Sequence, residues 1–143
     1  MSREPLHLRS SYRHWATIQT RWGDNDAYGH VNNTIHYQWF DTVVNAWLID
    51  KGLLDIDHGN PIGLVAETGC RYALPLVFPQ TVDIGLALDR LGGSSVTYLL
   101  GTFTSGSEQA AAQGHFTHVY VNRTSRRPMA LPTAWREVIS QLA

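Results

Sequence analysis

Residues 21–34 read Arg21-Trp22-Gly23-Asp24-Asn25-Asp26-Ala27-Tyr28-Gly29-His30-Val31-Asn32-Asn33-Thr34, and this polar, turn-forming stretch leads directly into an apolar one. The apolar residues recur at helical spacing, which predicts a helix from about Asn33 to about Lys51 with Gly52 as its stop. Their stripe is wide, so we expect other elements to wrap the helix on most of its sides. The apolar residues are Ile35, Trp39, Phe40, Val43, Val44, Trp47 and Leu48.

Length and composition narrow the class of protein. The chain has 143 residues, which is most simply one domain over residues 1–143, with residues 1–13 as an N-terminal tail. Its hydrophobic fraction of 43% and charged fraction of 16% are typical of a globular protein. A formal net charge of -1 without a basic stripe gives no reason to expect nucleic acid or an anionic membrane as a partner. The single cysteine and the lack of a long apolar run favour a cytoplasmic location.

The rest of the chain alternates with the period of β-strands. A short strand is expected at residues 15–21, and four more at residues 62–72, 82–89, 96–105 and 110–122, with a hairpin turn at Gly92-Gly93. A short amphipathic helix closes the chain, with Pro132 predicted at its first position. The order predicts an α+β fold in which one antiparallel sheet of about five strands covers one long helix.

The strand at residues 62–72 is predicted to be half-buried. Strict alternation places one set of its side chains on one face of the sheet, with Glu67 and Arg71 on the other face. The set expected to share a face is Ile62, Leu64, Ala66, Cys70 and Tyr72.

A calcium loop does not fit the polar stretch. With Asp24 at position one, Asp26 at position three and Gly29 at position six, position five is Tyr28, and position twelve, which needs a bidentate glutamate, is Ile35. A transition-metal site built from the same aspartates and the nearby histidine matches no tight ligand spacing. We therefore expect no metal here.

Other catalytic motifs are missing from the sequence. There is no G-x-S-x-G elbow for a serine nucleophile and no glycine-rich loop for a phosphate. Cys70 lies among apolar neighbours, where a small buried side chain is a commoner role than a nucleophile. His115 and His118 are an odd number of positions apart on a predicted strand, so they point to opposite faces and do not chelate.

The start of the predicted helix offers a different chemistry. The first N–H groups of a helix are unpaired and partly positive, so they can polarise a carbonyl, and a nearby carboxylate can act as a general base or as a nucleophile. Asp24, Asn32 and Asn33 are also good capping and turn-forming residues, and this structural role stays open for each of them.

The same stretch closely resembles the signature of the 4-hydroxybenzoyl-CoA thioesterase-like acyl-CoA thioesterases. These proteins have the hotdog fold, in which an antiparallel sheet wraps one long central helix. The likeness covers nearly the whole chain, although Pro79-Gln80 stands where many relatives have Gly-Asp, a difference in a turn rather than in the site. The matching segments are Arg21 to Asp26, Gly29 to Asn33, Tyr37, Tyr72-x-x-Pro75, Val119 to Asn122, Arg126 to Pro128, and Leu131-Pro132.

The resemblance implies a role for each matching residue. Asp26 falls on the catalytic carboxylate, and the backbone amide of Asn33 falls where the thioester carbonyl is polarised. Asp24 would mainly hold the loop, while Gly29 and His30 would shape the turn at the substrate. The further substrate contacts that it implies are Glu67 and Thr68 from a partner subunit, with Arg123, Arg126 and Arg127 as candidates for the phosphates of coenzyme A.

The resemblance therefore predicts an acyl-CoA thioesterase that releases a free carboxylate and coenzyme A. It implies a homodimer or homotetramer with the site in a cleft between subunits, and no cofactor apart from the coenzyme A of the substrate. The alternative is a non-catalytic hotdog module that binds an acyl-CoA or an acyl-carrier thioester; a dehydratase on the same fold fits less well. The acyl group, whether aliphatic, aryl or quaternary ammonium, is left open.

Overall fold

Five strands, two α-helices and three single-turn 3-10 helices make up the regular structure of residues 4–143, the part of the chain that the computed structural model describes. The part of the predicted tail before residue 4 lies outside the described residues. The elements follow the predicted order: β1 His14–Gln19, α1 Asn33–Asp50, β2 Ile62–Tyr72, β3 Thr81–Leu91, β4 Ser95–Thr104, β5 Ala112–Val121 and α2 Thr133–Ile139.

All five strands belong to one antiparallel sheet in the order β1-β3-β4-β5-β2, so β1 and β2 form its two edges. The helix α1 packs on one face, which we call the inner face. The predicted hotdog fold is thereby confirmed. The predicted start of the last helix was one residue too early: Pro132, with an extended ψ of 147°, is the N-cap residue, and α2 begins at Thr133.

The apolar stripe of α1 forms the centre of the core, as its spacing predicts. All seven stripe residues are buried, and Phe40 and Val44 have no exposed surface. They pack against inward-facing side chains of the central strands, among them Ile84, Leu86 and Leu100. Burying a side chain of this size contributes about 1.5–3 kcal/mol to the free energy of folding. The packing of the stripe therefore fixes α1, including its first turn, on the sheet.

The predicted alternation along β2 is wrong, because a β-bulge interrupts it. The pairing with β5 shifts between Val65 and Glu67, so Ala66 is the extra residue. Directly paired residues share a face, and before the bulge Val65 pairs with the inward-facing His118. Beyond it, Thr68, Cys70 and Tyr72 pair with Phe116, Gly114 and Ala112 and point inward, whereas Ile62 and Leu64 point outward.

The described part of the predicted tail packs on the outer face of the sheet. The ring of Tyr12 is 4% exposed and lies over Gly85 and Gly101. A Cβ atom at either glycine would come within 2.5 Å of Tyr12, so only glycine permits this close approach. Arg9 lies over the Trp15 ring, 5.1 Å from its centroid, and donates to Asp83 at 2.9 Å. Residues 4–13 are thus part of the packed structure.

A buried histidine gives the folded protein a pH-dependent stability. His36 is 3% exposed beside Thr102, and burial lowers its pKa to about 4. Between pH 6.5 and pH 4, His36 binds a proton in the unfolded chain but stays neutral in the folded protein. The free energy of unfolding therefore falls as the pH falls. From pH 7 to pH 5 we expect a loss of about 2 kcal/mol from this group, measured by urea unfolding.

The variant His36→Phe keeps an aromatic ring but removes the titrating group, so its unfolding free energy should depend less on pH. His118 retains a dependence of the same sign, because burial lowers its pKa too. The exposed His58→Gln serves as the control and should behave as the wild type. Equal pH dependence in His36→Phe and the wild type would contradict the prediction.

Candidate active site at the start of the central helix

A tight turn carries the polar stretch from β1 into α1. The Asp26 N–H donates to the His30 carbonyl at 2.8 Å, and the Gly29 N–H donates to the Asp26 carbonyl at 3.1 Å. Gly29 has a φ of 79°, in the left-handed region where a side chain is unfavourable. Gly29 and His30 therefore build the turn through their backbones, and the His30 side chain is exposed.

Asp24 stabilises this turn through its buried side chain and its backbone carbonyl. Its side chain is fully buried and accepts from the Arg21 guanidinium at 2.7 Å and from the Arg21 N–H at 2.8 Å. The hydrogen bond and the charge of this carboxylate raise the pKa of Arg21. The Asp24 carbonyl accepts from the Asn32 N–H at 2.8 Å, which ties the turn to the helix start. Its contacts are those of a structural residue.

Asp26 is only half-buried, unlike Asp24. One of its carboxylate oxygens, Oδ1, accepts from the Tyr28 N–H at 2.8 Å, which orients the side chain. Within residues 4–143 its Oδ2 makes no hydrogen bond, so one oxygen is available to a water or a substrate.

The first turn of α1 offers a free backbone donor at its exposed end. Asn32 caps the helix: its Oδ1 accepts from the Thr34 N–H at 2.9 Å, and its carbonyl accepts from the Ile35 N–H at 2.9 Å. The N–H of Asn33, an exposed residue, has no acceptor among residues 4–143. This N–H lies at the positive end of an 18-residue helix. It can therefore bind an oxygen that carries negative charge.

The other residues predicted for the substrate lie elsewhere in the protomer. Thr68 faces inward in the middle of β2. Glu67 points outward, and its carboxylate oxygen Oε1 lies 3.1 Å from His115 Nε2. Arg123 donates to the carbonyls of Gly59 and Ile56, which fastens the loop before β2. Arg126 is exposed in the loop after β5, at the end of the sheet where β2 begins. Within one chain, the structure does not bring these four residues to Asp26.

Sequence reasoning did not assign a role to Tyr72, which the structure places at the site. Its hydroxyl donates to the Asn33 carbonyl at 2.7 Å. A groove of about 590 Å³ runs beside it, lined by Glu4, Cys70, Arg71 and Tyr72, and its size is within the range of small-molecule sites. The motif Tyr72-x-x-Pro75 marked the residue, but a sequence motif gives no information on the contact across to α1.

Large apolar side chains also surround the turn, and they too were not predicted. Trp22 is 77% exposed and Tyr28 is 86% exposed. The Trp22 ring packs edge-on against Phe78, with 6.0 Å between centroids. The loop that carries Phe78 is joined to the turn by the Val31 N–H, which donates to the Leu76 carbonyl at 2.8 Å. The turn therefore opens toward an apolar surface.

A model of the thioesterase-like superfamily matches residues 20–139, which include the whole turn, α1 and Tyr72. The chain belongs to this superfamily. Two solved structures from Pseudomonas aeruginosa agree with this assignment. The PA5185 protein of strain PAO1 is 49% identical, with 96% of each chain covered and a TM-score of 0.91. The PA2801 protein, a proposed thioesterase, is 32% identical over 90% of this chain and 98% of its own, with a TM-score of 0.82.

A more distant solved structure has the same fold as this chain. The 1,4-dihydroxy-2-naphthoyl-CoA thioesterase Slr0204 from Synechocystis is 18% identical, covers 87% of this chain and 93% of its own, and has a TM-score of 0.78. The chain matches no curated protein. Of the helices in residues 4–143, none has the length and apolar character needed to cross a bilayer.

Proposed function

We propose that this thioesterase-like protein hydrolyses an acyl-CoA thioester to a carboxylate and free coenzyme A. Asp26 acts as general base or nucleophile, and the Asn33 N–H donates to the thioester carbonyl. One observation carries the proposal: a carboxylate with an unengaged oxygen and a helix N–H without an acceptor lie at the two ends of the short segment from Asp26 to Asn33.

Both groups suit the charge changes of the reaction. As the carbonyl carbon is attacked, negative charge develops on its oxygen, and a fixed N–H donor stabilises that charge. If Asp26 is the base, it takes a proton from the attacking water, the C–O bond forms, the C–S bond breaks, and the proton passes to the leaving thiolate. If Asp26 is the nucleophile, its oxygen displaces the thiolate and a water molecule then hydrolyses the resulting anhydride.

The proposal includes a homodimer that forms through β2. Residues 63–68 of this edge strand are exposed on both faces of the sheet. A long uncovered edge strand is a ready template for another strand. Antiparallel pairing of two β2 strands about a two-fold axis places the start of one strand beside the end of the other.

This pairing supports a role for the predicted arginines. β2 has 11 residues and is therefore roughly 33 Å long. The loop with Arg126 lies at its Ile62 end, whereas Asn33 contacts Tyr72 at the other end. In the proposed dimer, Arg126 from the partner subunit lies at the Tyr72 end. There it would bind the phosphates of a coenzyme A whose thioester reaches Asn33.

The proposed activity is tested by incubating the purified protein with a panel of acyl-CoAs and measuring thiol release. Turnover of at least one thioester that is lost with Asp26→Asn supports the proposal. Thermal stabilisation by coenzyme A esters without turnover would instead establish the non-catalytic binding module. The absence of both turnover and thermal stabilisation would contradict the thioesterase and the binding module alike.

Arg126 has an unfavourable backbone conformation that allows its role to be separated from its contribution to stability. Its φ is 62°, in the left-handed region, which costs a non-glycine residue about 1 kcal/mol. We expect Arg126→Gly to leave the unfolding free energy unchanged or up to about 1 kcal/mol higher. At the same time the KM for an acyl-CoA should rise about tenfold with kcat nearly unchanged, because one charged hydrogen bond to a phosphate is lost.

An acyl-pantetheine, which lacks the phosphates, provides the matched substrate. Arg126→Gly should not change its KM. An equal rise of KM for both substrates, or no rise for either, would show that Arg126 does not bind a phosphate.

A further inference from the structure

Tyr72 connects the edge strand β2 to the first turn of α1. Its hydroxyl lies 2.7 Å from the Asn33 carbonyl oxygen, and since a carbonyl only accepts, the hydroxyl is the donor. Its ring packs edge-on against His36, with 5.1 Å between centroids. Asn33 and His36 are three residues apart and therefore lie on the same side of the helix. Tyr72 thus contacts one side of the first helical turn, which carries the free Asn33 N–H.

The peptide groups around the Asn33 N–H are held from several directions. The preceding peptide is fixed by the Asn32 N–H, which donates to the Asp24 carbonyl. The peptide that contains the Asn33 N–H is fixed by its carbonyl, that of Asn32, which accepts from Ile35. The following peptide is held at both ends: its N–H donates to Asn32 Oδ1 and its carbonyl accepts from Tyr72. The Asn33 N–H is the one group in this set without a partner in residues 4–143.

The bond from Tyr72 differs from the others because the helix does not need it. The Asn33 carbonyl is in an α-helix and can accept from the N–H four residues further on, so the phenol occupies its second lone pair. The other hydrogen bonds lie within the turn and the helix cap. Among the hydrogen bonds of these three peptide groups, only the one from Tyr72 comes from a strand of the sheet.

We infer that Tyr72 is a positioning residue: it holds the Asn33 N–H at the place where the thioester oxygen becomes negatively charged. This inference rests on the proposed function. A donor that is fixed before reaction stabilises the transition state without reorganisation, so a loose first turn costs kcat rather than substrate affinity. Burial, with the neighbouring Cys70, raises the pKa of the Tyr72 phenol, so its hydroxyl stays a donor throughout the assay range.

The test is the variant Tyr72→Phe, which keeps the ring on His36 and removes only the hydroxyl. We expect kcat to fall about tenfold and KM to stay within about twofold, as for an interaction made mainly in the transition state. Amide hydrogen exchange, followed by NMR, should become faster at Thr34, Ile35 and His36 than in the wild type, because the first turn loses one of its contacts with the sheet.

The matched control is Tyr98→Phe, which removes a buried hydroxyl from the hydrogen bond to Tyr120, 2.8 Å long, without touching the helix start. It should lower the melting temperature at least as much as Tyr72→Phe while leaving kcat unchanged. A kcat loss that is equal in both variants, a KM rise in place of the kcat loss, or an unchanged kcat in Tyr72→Phe would overturn the inference.

The exchange measurement separates this inference from the proposed function. If the wild type hydrolyses no acyl-CoA, the proposed function fails and the positioning role for that reaction fails with it. If the wild type is active but exchange in the first turn is the same with and without the hydroxyl, the proposed function stands and the positioning role of Tyr72 is overturned.

Discussion

Asp26→Asn is expected to lower kcat for thioester hydrolysis by about a hundredfold to ten-thousandfold, the range for losing a general base or a comparable catalytic group. The substitution keeps an oxygen that can accept from the Tyr28 N–H, so the turn should persist. Asparagine carries no negative charge, so it neither removes a proton from water nor attacks the carbonyl. Thiol release gives the rate, and urea unfolding should give a free energy within about 0.5 kcal/mol of the wild type, as for other half-exposed sites.

The neighbouring carboxylate supplies the matched comparison. Asp24→Asn should lower the unfolding free energy by about 2 kcal/mol, because the buried side chain loses its charged hydrogen bonds with Arg21. The folded fraction of this variant should retain most of the wild-type kcat. The assignment of Asp26 would be wrong if Asp26→Asn kept full activity, or if the rate followed stability in the two variants alike.

The long helix and its surroundings were predictable because their signals are strong and local. The residues of the apolar stripe repeat at the helical period. In the folded protein the sheet covers that side of the helix and buries every one of them. The limits of α1 followed from local chemistry as well, since Asn32 caps the first turn and Gly52, with a φ of 75°, ends the helix in the left-handed region.

The geometry of β2 was not predictable, because it depends on its neighbour. The bulge at Ala66 is set by the pairing with β5, and no residue type in β2 predicts it. One extra residue reverses the face of every side chain before it relative to those after it. For the same reason, the contact between Tyr72 and the Asn33 carbonyl is a product of tertiary structure.

The candidate site divides in the same way. The turn-forming character of this stretch and the capping role of Asn32 were predictable from residue types, whereas the roles of Gly29 and Asp26 came from the resemblance. Thr68, Glu67 and Arg126 do not reach Asp26 within one chain, so the roles that the resemblance implies for them would need the proposed partner subunit. No pattern within a single sequence states how two copies pair.

The dimer proposal makes a large prediction at the middle of β2. Val65 points to the inner face and is already 51% exposed in the protomer, so Val65→Lys should leave the folded monomer intact. In a dimer paired through β2 the new ammonium groups would be brought close together and desolvated, which opposes association. We expect the wild type to sediment as a dimer or as a tetramer built from two dimers, and the variant to sediment as a monomer.

The same substitution should lower kcat/KM at least tenfold, because the Arg126 that the proposed partner supplies leaves the site. By mass action, activity should partly return at high protein concentration. Thr17→Lys, an exposed position on the opposite edge strand β1, is the matched control and should change neither mass nor rate. A monomeric Val65→Lys with full activity would show that one chain completes the site, and β2 would then be only an assembly surface.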